Sequence, residues 1–437
     1  MRLELRLAES LRILNENNLM KPGNAKQALM WNMSGVCFFY FCRWLITIAV
    51  VRMSMDFYSA GILMLAISIT NIWNVVAMYA GRNIQVSDIK NEFTDSEYVS
   101  LRIITVLAAI LFCTVHVLIS SDNIYQSLVI IVYMIVIAST AFSDVLYGLM
   151  QKEWRMDVIG MSNVLRGILF LTSFIVFFYF YGLLASVIAM SFFSIAIMVL
   201  FDMPIARRYA KLKLMFDFKR LSKLIRICFP LVIVAFLFTF IPSFTRIMLR
   251  EQLSTEVLGM YGSVTLPAAM AQTIVFSAFA PVTTLIARSY LERNYKKYLR
   301  IFWTGIVGTA TVFLVFFVLS FPLGRWFLQL IFSAEAAQYA PIFSEAILFS
   351  MFMCLGWYIM IPLVVFRKTV IQAIIYACGA LICLLFASFM IQRFGASGAN
   401  YIQMIANGFT FVALFIAVTI ISKEQFASCT TSDSDSE

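Results

Sequence analysis

The sequence predicts an all-α integral membrane protein with about 12 transmembrane helices. Hydrophobic residues make up 62% of the 437 residues and charged residues only 13%, whereas about a quarter of the residues of a soluble domain are charged. The apolar residues gather into stretches of about 20 or more, the length that an α-helix needs to cross a hydrocarbon core about 30 Å thick. Little length remains for a soluble domain.

The predicted spans follow one another with short connections, and the count depends most on the closely spaced pairs 157–181 with 183–202 and 341–366 with 369–392. The first six spans are expected near residues 27–51, 58–80, 100–120, 124–150, 157–181 and 183–202. The other six are expected near residues 224–249, 258–287, 301–321, 341–366, 369–392 and 398–422.

The basic residues predict the orientation of the spans. With both termini in the cytoplasm, the outer connections keep only Arg52, Arg250, Arg325 and Arg393, and the other connecting lysines and arginines fall inside. The positive-inside rule favours this topology. The net charge of +10 is therefore a topology signal, with anionic membrane lipids as its partners. The chain contains nothing that resembles a nucleic-acid-binding module, and we expect no nucleic-acid partner.

The ends and the middle of the chain complete the domain plan. Residues 1–26 carry leucines at helical spacing between charges, which is typical of an amphipathic helix on the inner leaflet; a frayed tail is the alternative. Six spans in 27–202 form an N-lobe, the basic residues 203–223 form a cytoplasmic linker, and six spans in 224–422 form a C-lobe. Residues 423–437 form an acidic cytoplasmic tail.

The two predicted lobes share a weak internal repeat at an offset of 198 positions. At this offset three single residues are identical: Thr47 and Thr245, Arg52 and Arg250, Gly61 and Gly259. The tripeptide 101–103 (Leu-Arg-Ile) is also identical to the tripeptide 299–301. A constant offset across three spans favours duplication. Two parallel repeats of six spans are related by a pseudo-twofold axis along the membrane normal, and transporters built in this way place their substrate path between the halves.

Arginines within the spans are the first candidates for function, because an arginine at mid-bilayer costs roughly 2.5 to 3.5 kcal/mol on insertion scales. Arg43 lies inside the first span, on the same helix as Asn32. We predict that Arg43 faces a wet cavity; a carboxylate or carbonyl on a neighbouring helix is the alternative partner. Arg246 follows Pro230 and Pro242 near the outer end of the seventh span, where snorkelling to the interface explains it as well as ligand binding does.

Other intramembrane polar residues have two interpretations each. Asp144 and Arg166 fall at similar depth on adjacent spans and predict a salt bridge; if they are not partners, Asp144 becomes the first candidate for proton or sodium coupling and Glu345 the second. Arg102 is expected to anchor the start of its span, as Arg300 does in the other half. We expect amides such as Asn74 and Gln272 either to bind a ligand or to form hydrogen bonds between helices.

The cysteines and the single histidine do not indicate a catalytic or metal site. The eight cysteines have no metal-ligand spacing, so we predict neither disulfides nor a metal site. The single histidine, His116, lies in the third span, where a hydrogen bond to a neighbouring helix and a proton relay are the two interpretations. We predict no catalytic residue and no cofactor other than an H⁺ or Na⁺ coupling ion.

Several motifs resemble those of a known superfamily. They are Arg52 closing the first span, the stretch from Gly81 to Asp88, and Tyr98 four residues before Arg102. With the two six-span halves, they resemble the multidrug/oligosaccharidyl-lipid/polysaccharide (MOP) exporter superfamily, and within it the flippases for O-antigen and related polysaccharide repeats. The resemblance implies a V-shaped transporter that works by alternating access in a bacterial inner membrane. Its implied substrate is an oligosaccharide linked to undecaprenyl diphosphate. Its implied role is in lipopolysaccharide biosynthesis, with polysaccharide polymerase and chain-length machinery as its partners.

A diphosphate cargo suits the basic residues, because guanidinium groups bind phosphate through a planar fork of donors. The candidate substrate-binding residues are Arg43, Arg246, Arg52, Arg250, Asn74 and Gln272. A cation-coupled multidrug exporter of the same fold is the main alternative, although such a cargo favours intramembrane carboxylates. A membrane glycan polymerase or transferase is less favoured, because the outer connections are short and lack paired carboxylates. ATP-driven transport is disfavoured because the chain contains no phosphate-binding loop of the Gly-x-x-x-x-Gly-Lys type.

Overall fold

The computed structural model describes residues 22–54, 56–88, 92–120, 123–210 and 213–434, with the side chains of 22–26, 277, 280, 281 and 427–434 excepted. The regular secondary structure of these residues is helical. They divide into two compact units, a first unit that extends to Thr239 and a second unit that starts at Phe240. The predicted amphipathic helix of residues 1–20 lies outside the described residues.

The first unit contains α1 to α7 and the beginning of α8. The helices are α1 (Pro22–Ser54), α2 (Tyr58–Met78), α3 (Gly81–Ser87), α4 (Asp95–Ser120), α5 (Ile124–Lys152), α6 (Met156–Ile197), which continues through a π-helical turn (Met198–Asp202), and α7 (Met203–Ala206). The described residues that follow, 207–210 and 213–217, contain no helix or strand. Helix α8 (Phe218–Gln252) passes from the first unit into the second.

The second unit repeats this plan. Its helices are α9 (Thr255–Leu291), α10 (Tyr295–Ile331), the short α11 (Ala334–Ala337), α12 (Ala340–Val365), α13 (Thr369–Phe394) and α14 (Ala396–Ser434). Among the described residues, ten helical segments are long and apolar enough to cross a membrane.

One of these ten segments, Met156–Ala206, supplies two spans. Its 51 residues are about 76 Å long at 1.5 Å per residue, more than twice the thickness of a hydrocarbon core. Gly182 breaks it with φ 79° and ψ −170°, a conformation that a side chain disfavours. Arg166 and Asp202 lie 3.0 Å apart on either side of this break, so the chain reverses there. With α9 in the place of the predicted eighth span, the all-α membrane fold with about 12 spans is confirmed.

Helices α1 and α6 of the first unit approach each other closely through glycine. A Cβ on Gly160 would lie 2.3 Å from the carbonyl oxygen of Trp31, and a Cβ on Gly35 would lie 2.3 Å from that of Gly160. Farther along α6, Gly167 packs against Phe38 and Cys42. Small residues allow such close approach, which is a main source of helix association in a membrane because lipid offers no hydrophobic driving force.

We predict that Gly160→Ala lowers the yield of folded protein sharply. The added methyl group meets backbone atoms, which cannot rotate away, so α1 and α6 must separate along their whole contact, at a cost above the 1 to 3 kcal/mol typical of overpacking. The measurement is the amount of monodisperse protein on size-exclusion chromatography in mild detergent. Gly308→Ala in α10 is the matched control, because a Cβ there meets nothing within 4 Å; equal yields of the two variants would contradict the prediction.

The helix bounds extend the internal repeat beyond the identities visible in the sequence. Positions 22, 54, 58 and 95, which bound α1, α2 and α4, correspond to positions 218, 252, 255 and 295 of α8, α9 and α10, close to the offset of 198. Beyond α10 the offset grows, because α10 is longer than α4 and α11 is inserted. Gly182 and Gly395 then occupy equivalent turns, and both have positive φ. The insertion moves the later helices away from the offset of 198.

Candidate functional site

The structure sorts the intramembrane arginines into two classes, those that pair with a carboxylate and those that do not. Arg102 belongs to the first class. Its side chain is 2% exposed and donates to Asp144 at 3.1 Å and to the carbonyl oxygen of Ala77 at 3.1 Å. Arg82, on α3, donates to the other oxygen of Asp144, also at 3.1 Å. The prediction that Arg102 only anchors a helix end is therefore wrong, because its buried guanidinium forms an ion pair with Asp144 on another helix.

Arg166 pairs with Asp202 rather than with Asp144. Its Nη2 donates to Asp202 at 3.0 Å and to Ser143 at 2.8 Å, while Ser162 donates to the second Asp202 oxygen. The predicted Asp144–Arg166 bridge is wrong, because the reversal at Gly182 returns Asp202 to the depth of Arg166. The sequence carried this signal, since the two residues lie 16 positions before and 20 positions after Gly182.

The motif from Gly81 to Asp88 fastens one end of the first unit. Gln85 is fully buried against Gly148, where a Cβ would lie 2.1 Å from the Gln85 Oε1. Asp88 accepts hydrogen bonds from the backbone N–H of Phe93 at 3.0 Å and from the hydroxyl of Tyr98 at 3.1 Å. The residues that carry the family resemblance therefore hold α2, α3, α4 and α5 together at this end.

Arg43 belongs to the second class. It is half-buried in α1, and its Nη2 donates to the hydroxyl of Tyr133 on α5 at 2.7 Å. Its guanidinium carbon lies 5.9 Å from the ring centroid of Phe39. Within the part of the chain that the structure describes, no carboxylate lies at ion-pair distance. A hydroxyl and an aromatic face leave most of the five guanidinium N–H donors available to a ligand.

Besides Gln85, whose two amide atoms are buried without a described partner, two amides of the same unit carry unused hydrogen-bonding capacity. The Oδ1 atoms of Asn32 on α1 and of Asn74 on α2 are buried and accept no hydrogen bond from the described residues. Leaving such an atom unsatisfied costs about 1 to 3 kcal/mol. Asn32 precedes Arg43 by 11 residues, about three helical turns, and therefore lies on the same face of α1. These amides and Arg43 make the first unit a candidate site for an anion that also carries hydroxyl donors.

Arg246 is the second arginine without a carboxylate partner among the described residues. It is half-buried in α8, and its buried Nε donates no hydrogen bond there. Its electrostatic neighbour is Tyr261 on α9, a neutral hydroxyl. A buried Nε fits both a ligand contact and snorkelling, because snorkelling requires only the terminal nitrogens to reach water.

Behind Tyr261, a chain of hydrogen bonds leads to Glu345. Tyr261 donates to the Oδ1 of Asn400 at 2.8 Å, and the Nδ2 of Asn400 donates to Glu345 at 3.0 Å. Tyr401 donates to the other Glu345 oxygen at 3.0 Å, and Gln403 donates to the Tyr261 hydroxyl at 2.9 Å. The hydrogen bonds through Asn400 thus join Glu345 to Tyr261, the electrostatic neighbour of Arg246.

The remaining candidates have partners of their own. Gln272 on α9 donates a hydrogen bond to Ser350 on α12 at 2.7 Å. This is the interhelical hydrogen bond that was one of its two expected roles. His116 accepts a hydrogen bond from the indole N–H of Trp73 on α2 at 3.2 Å, so the predicted bond to a neighbouring helix is confirmed. Arg52 and Arg250 lie in the last turns of α1 and α8, one exposed and one half-buried.

Known structures with the same fold are multidrug and toxic compound extrusion (MATE) transporters. An inward-facing multidrug resistance MATE transporter of the MOP superfamily matches with a TM-score of 0.69 and 15% identity over 91% of this chain and 99% of its own. A mutant of the Vibrio cholerae transporter VcmN gives 0.62 and 12% over 92% and 98%. The eukaryotic transporter AtDTX14 gives 0.61 and 16% over 92% and 98%.

The chain therefore has the fold of these MATE transporters. At these identities the likeness shows the fold alone. Comparison with family models and with curated proteins gave no match. The solved structures thus define the architecture, whereas the cargo depends on the residues of the site.

Proposed function

We propose that this protein is an alternating-access flippase for an oligosaccharide linked to undecaprenyl diphosphate, moved from the inner to the outer leaflet of a bacterial cytoplasmic membrane. One observation carries the proposal. Among the described residues, Arg43 and Arg246 lack carboxylate partners within apolar helices, whereas the carboxylates Asp144, Asp202 and Glu345 all accept hydrogen bonds. Unused positive charge inside a membrane favours an anionic cargo.

The chemistry of a lipid-linked sugar diphosphate fits these groups one by one. A guanidinium forms paired, charge-assisted hydrogen bonds with phosphate and keeps its charge at any physiological pH. The unsatisfied amide oxygens of Asn32 and Asn74 suit sugar hydroxyls, which donate hydrogen bonds. The polyprenyl chain remains in lipid throughout, so only the head group requires a polar path.

A multidrug exporter is the second candidate, because structures of the same fold are described as multidrug resistance transporters. Cationic drugs require a carboxylate that is accessible and not already neutralised. Asp202 is fully buried in its pair with Arg166, and Asp144 lies between Arg82 and Arg102. These partners disfavour a cationic cargo in the first unit.

We further propose that Glu345 carries the coupling ion, a proton or sodium. Its described partners are the neutral donors Asn400 and Tyr401, so a proton or cation entering there meets no competing guanidinium. Tyr261 and Asn400 then transmit the charge state of Glu345 to Arg246. Asp144 is less suited to this role, because two arginines already balance its charge.

Transport by the purified protein tests the proposal and separates the two candidates. In proteoliposomes loaded on one side, we expect undecaprenyl-diphosphate oligosaccharide to become accessible to a lectin on the other side at least tenfold faster than in protein-free vesicles. Ethidium movement is expected to match the protein-free rate. Ethidium transport without lipid movement would replace the flippase with the drug exporter. In cells, deletion is expected to strand the lipid-linked oligosaccharide on the cytoplasmic face and remove the surface polymer.

A further inference from the structure

Residues 213–217, which precede α8, lie beside the beginning of α4. We call residues 213–220, which include the first three residues of α8, the connecting segment. The backbone N–H of Lys213 donates to the hydroxyl of Ser96 at 3.3 Å, and that of Met215 donates to Ser100 at 2.9 Å. Both serines lie in the first two turns of α4, so the connecting segment lies at the depth where the spans end.

Apolar side chains of the connecting segment point away from the protein. Its exposed large hydrophobic residues are Leu214, Met215, Phe216 and Phe218. Phe218 is 79% exposed and Leu214 58%, although the backbone beside them is fixed by hydrogen bonds. The exposure therefore belongs to the fold and not to a loose loop. Bulky apolar groups presented at the end of the spans suit the boundary between head groups and acyl chains.

Basic side chains surround these apolar residues. Exposed cations that form no ion pair with the described residues are Arg207, Arg208, Lys213, Lys219 and Arg226. The nearby acidic groups are already engaged, because Glu97 binds Arg220, Glu92 binds Lys223, and Asp217 caps α8 by accepting from the N–H of Lys219. The surface thus combines exposed apolar side chains with uncompensated positive charge.

We propose that the connecting segment, with Arg207, Arg208 and Arg226, is a binding surface for anionic phospholipid of the inner leaflet. The aromatic and aliphatic side chains enter the acyl boundary, and the cations bind lipid phosphate. Each lysine or arginine near an anionic membrane surface contributes about 1 kcal/mol, equal to about fivefold in local binding. The pairs of Arg220 with Glu97 and of Lys223 with Glu92 hold the start of α8 in place beneath this surface. The inference is independent of the proposed cargo.

Lipid-specific quenching of a probe in the connecting segment tests the proposal. The full-length Phe218→Trp protein is reconstituted into phosphatidylcholine vesicles that contain a doxyl-labelled phosphatidylglycerol or, at the same fraction, doxyl-labelled phosphatidylcholine. Quenching of the parent protein is subtracted. We expect the introduced indole to be quenched by both lipids, and at least about twofold more by the anionic one. Absence of quenching by both would overturn the membrane contact, and equal quenching would overturn the preference for anionic lipid.

Charge variants identify the cations responsible. In the Phe218→Trp background, Lys213→Gln, Lys219→Gln and Arg226→Gln together are expected to abolish the preference for phosphatidylglycerol while quenching by phosphatidylcholine persists. The matched control replaces three exposed basic residues of the second unit, Lys296, Arg300 and Lys368, by Gln, with the same loss of net charge. The control is expected to keep the preference. Loss of the preference in both variants would assign it to net charge and overturn the proposed surface.

Discussion

Arg43→Ala is expected to abolish flipping while the protein remains folded and at its normal level. Arg43 has no ionic partner among the described residues, and its hydrogen bond is to Tyr133, so its removal leaves no buried countercharge. A paired set of charge-assisted hydrogen bonds to phosphate contributes roughly 3 kcal/mol or more, and its loss lowers transport about a hundredfold. The measurement is the initial flipping rate in proteoliposomes at equal protein density.

Two further variants separate phosphate recognition from simple positive charge. Arg43→Lys keeps the charge but loses the planar fork, and we expect it to retain about a tenth of the rate. Arg300→Ala is the matched control, because Arg300 is exposed and has no ion pair within the described residues; it is expected to transport normally. Normal flipping by Arg43→Ala would remove Arg43 from the site and leave the cargo without its principal cation in the first unit.

Asp202→Asn is expected to destabilise the first unit by about 3 to 5 kcal/mol, the usual cost of leaving one partner of a buried ion pair alone. Arg166 and Asp202 are 2% and 0% exposed, and the other described partner of the Arg166 guanidinium is Ser143. The pair also closes the reversal at Gly182, so its loss frees both limbs of α6. The measurement is the midpoint of thermal unfolding in detergent, followed by size-exclusion chromatography.

A compensating variant and a surface pair make this result specific. Arg166→Met combined with Asp202→Leu removes both charges, and we expect it to recover most of the stability, because an apolar pair of similar volume often replaces a buried ion pair without loss. Asp157→Asn breaks the pair of Arg155 with Asp157, whose side chains are 46% and 35% exposed; such a pair contributes at most about 1 kcal/mol. Equal destabilisation by Asp157→Asn and Asp202→Asn would contradict the buried-pair interpretation.

The positions of the spans were predictable from sequence, whereas several ion pairs were not. Most predicted spans agree with the observed helices to within a few residues, and the doubtful boundary between 181 and 183 is real because Gly182 turns the chain there. Two assignments failed, the pairing of Asp144 with Arg166 and the role of Arg102. Both depend on which faces of neighbouring helices meet.

The sequence by itself determined that the chain spans a membrane, the approximate positions of most of its long helices, and which residues bear charge within them. Those properties follow from the length and polarity of continuous segments. Only the tertiary structure decided that Asp144 binds Arg82 and Arg102, that Asp202 binds Arg166, and that Arg43 has no carboxylate partner among the described residues. In lipid every face of a helix is apolar, so hydrophobic periodicity carries no information about helix rotation. The contacts of charged side chains emerge only when the helices are packed.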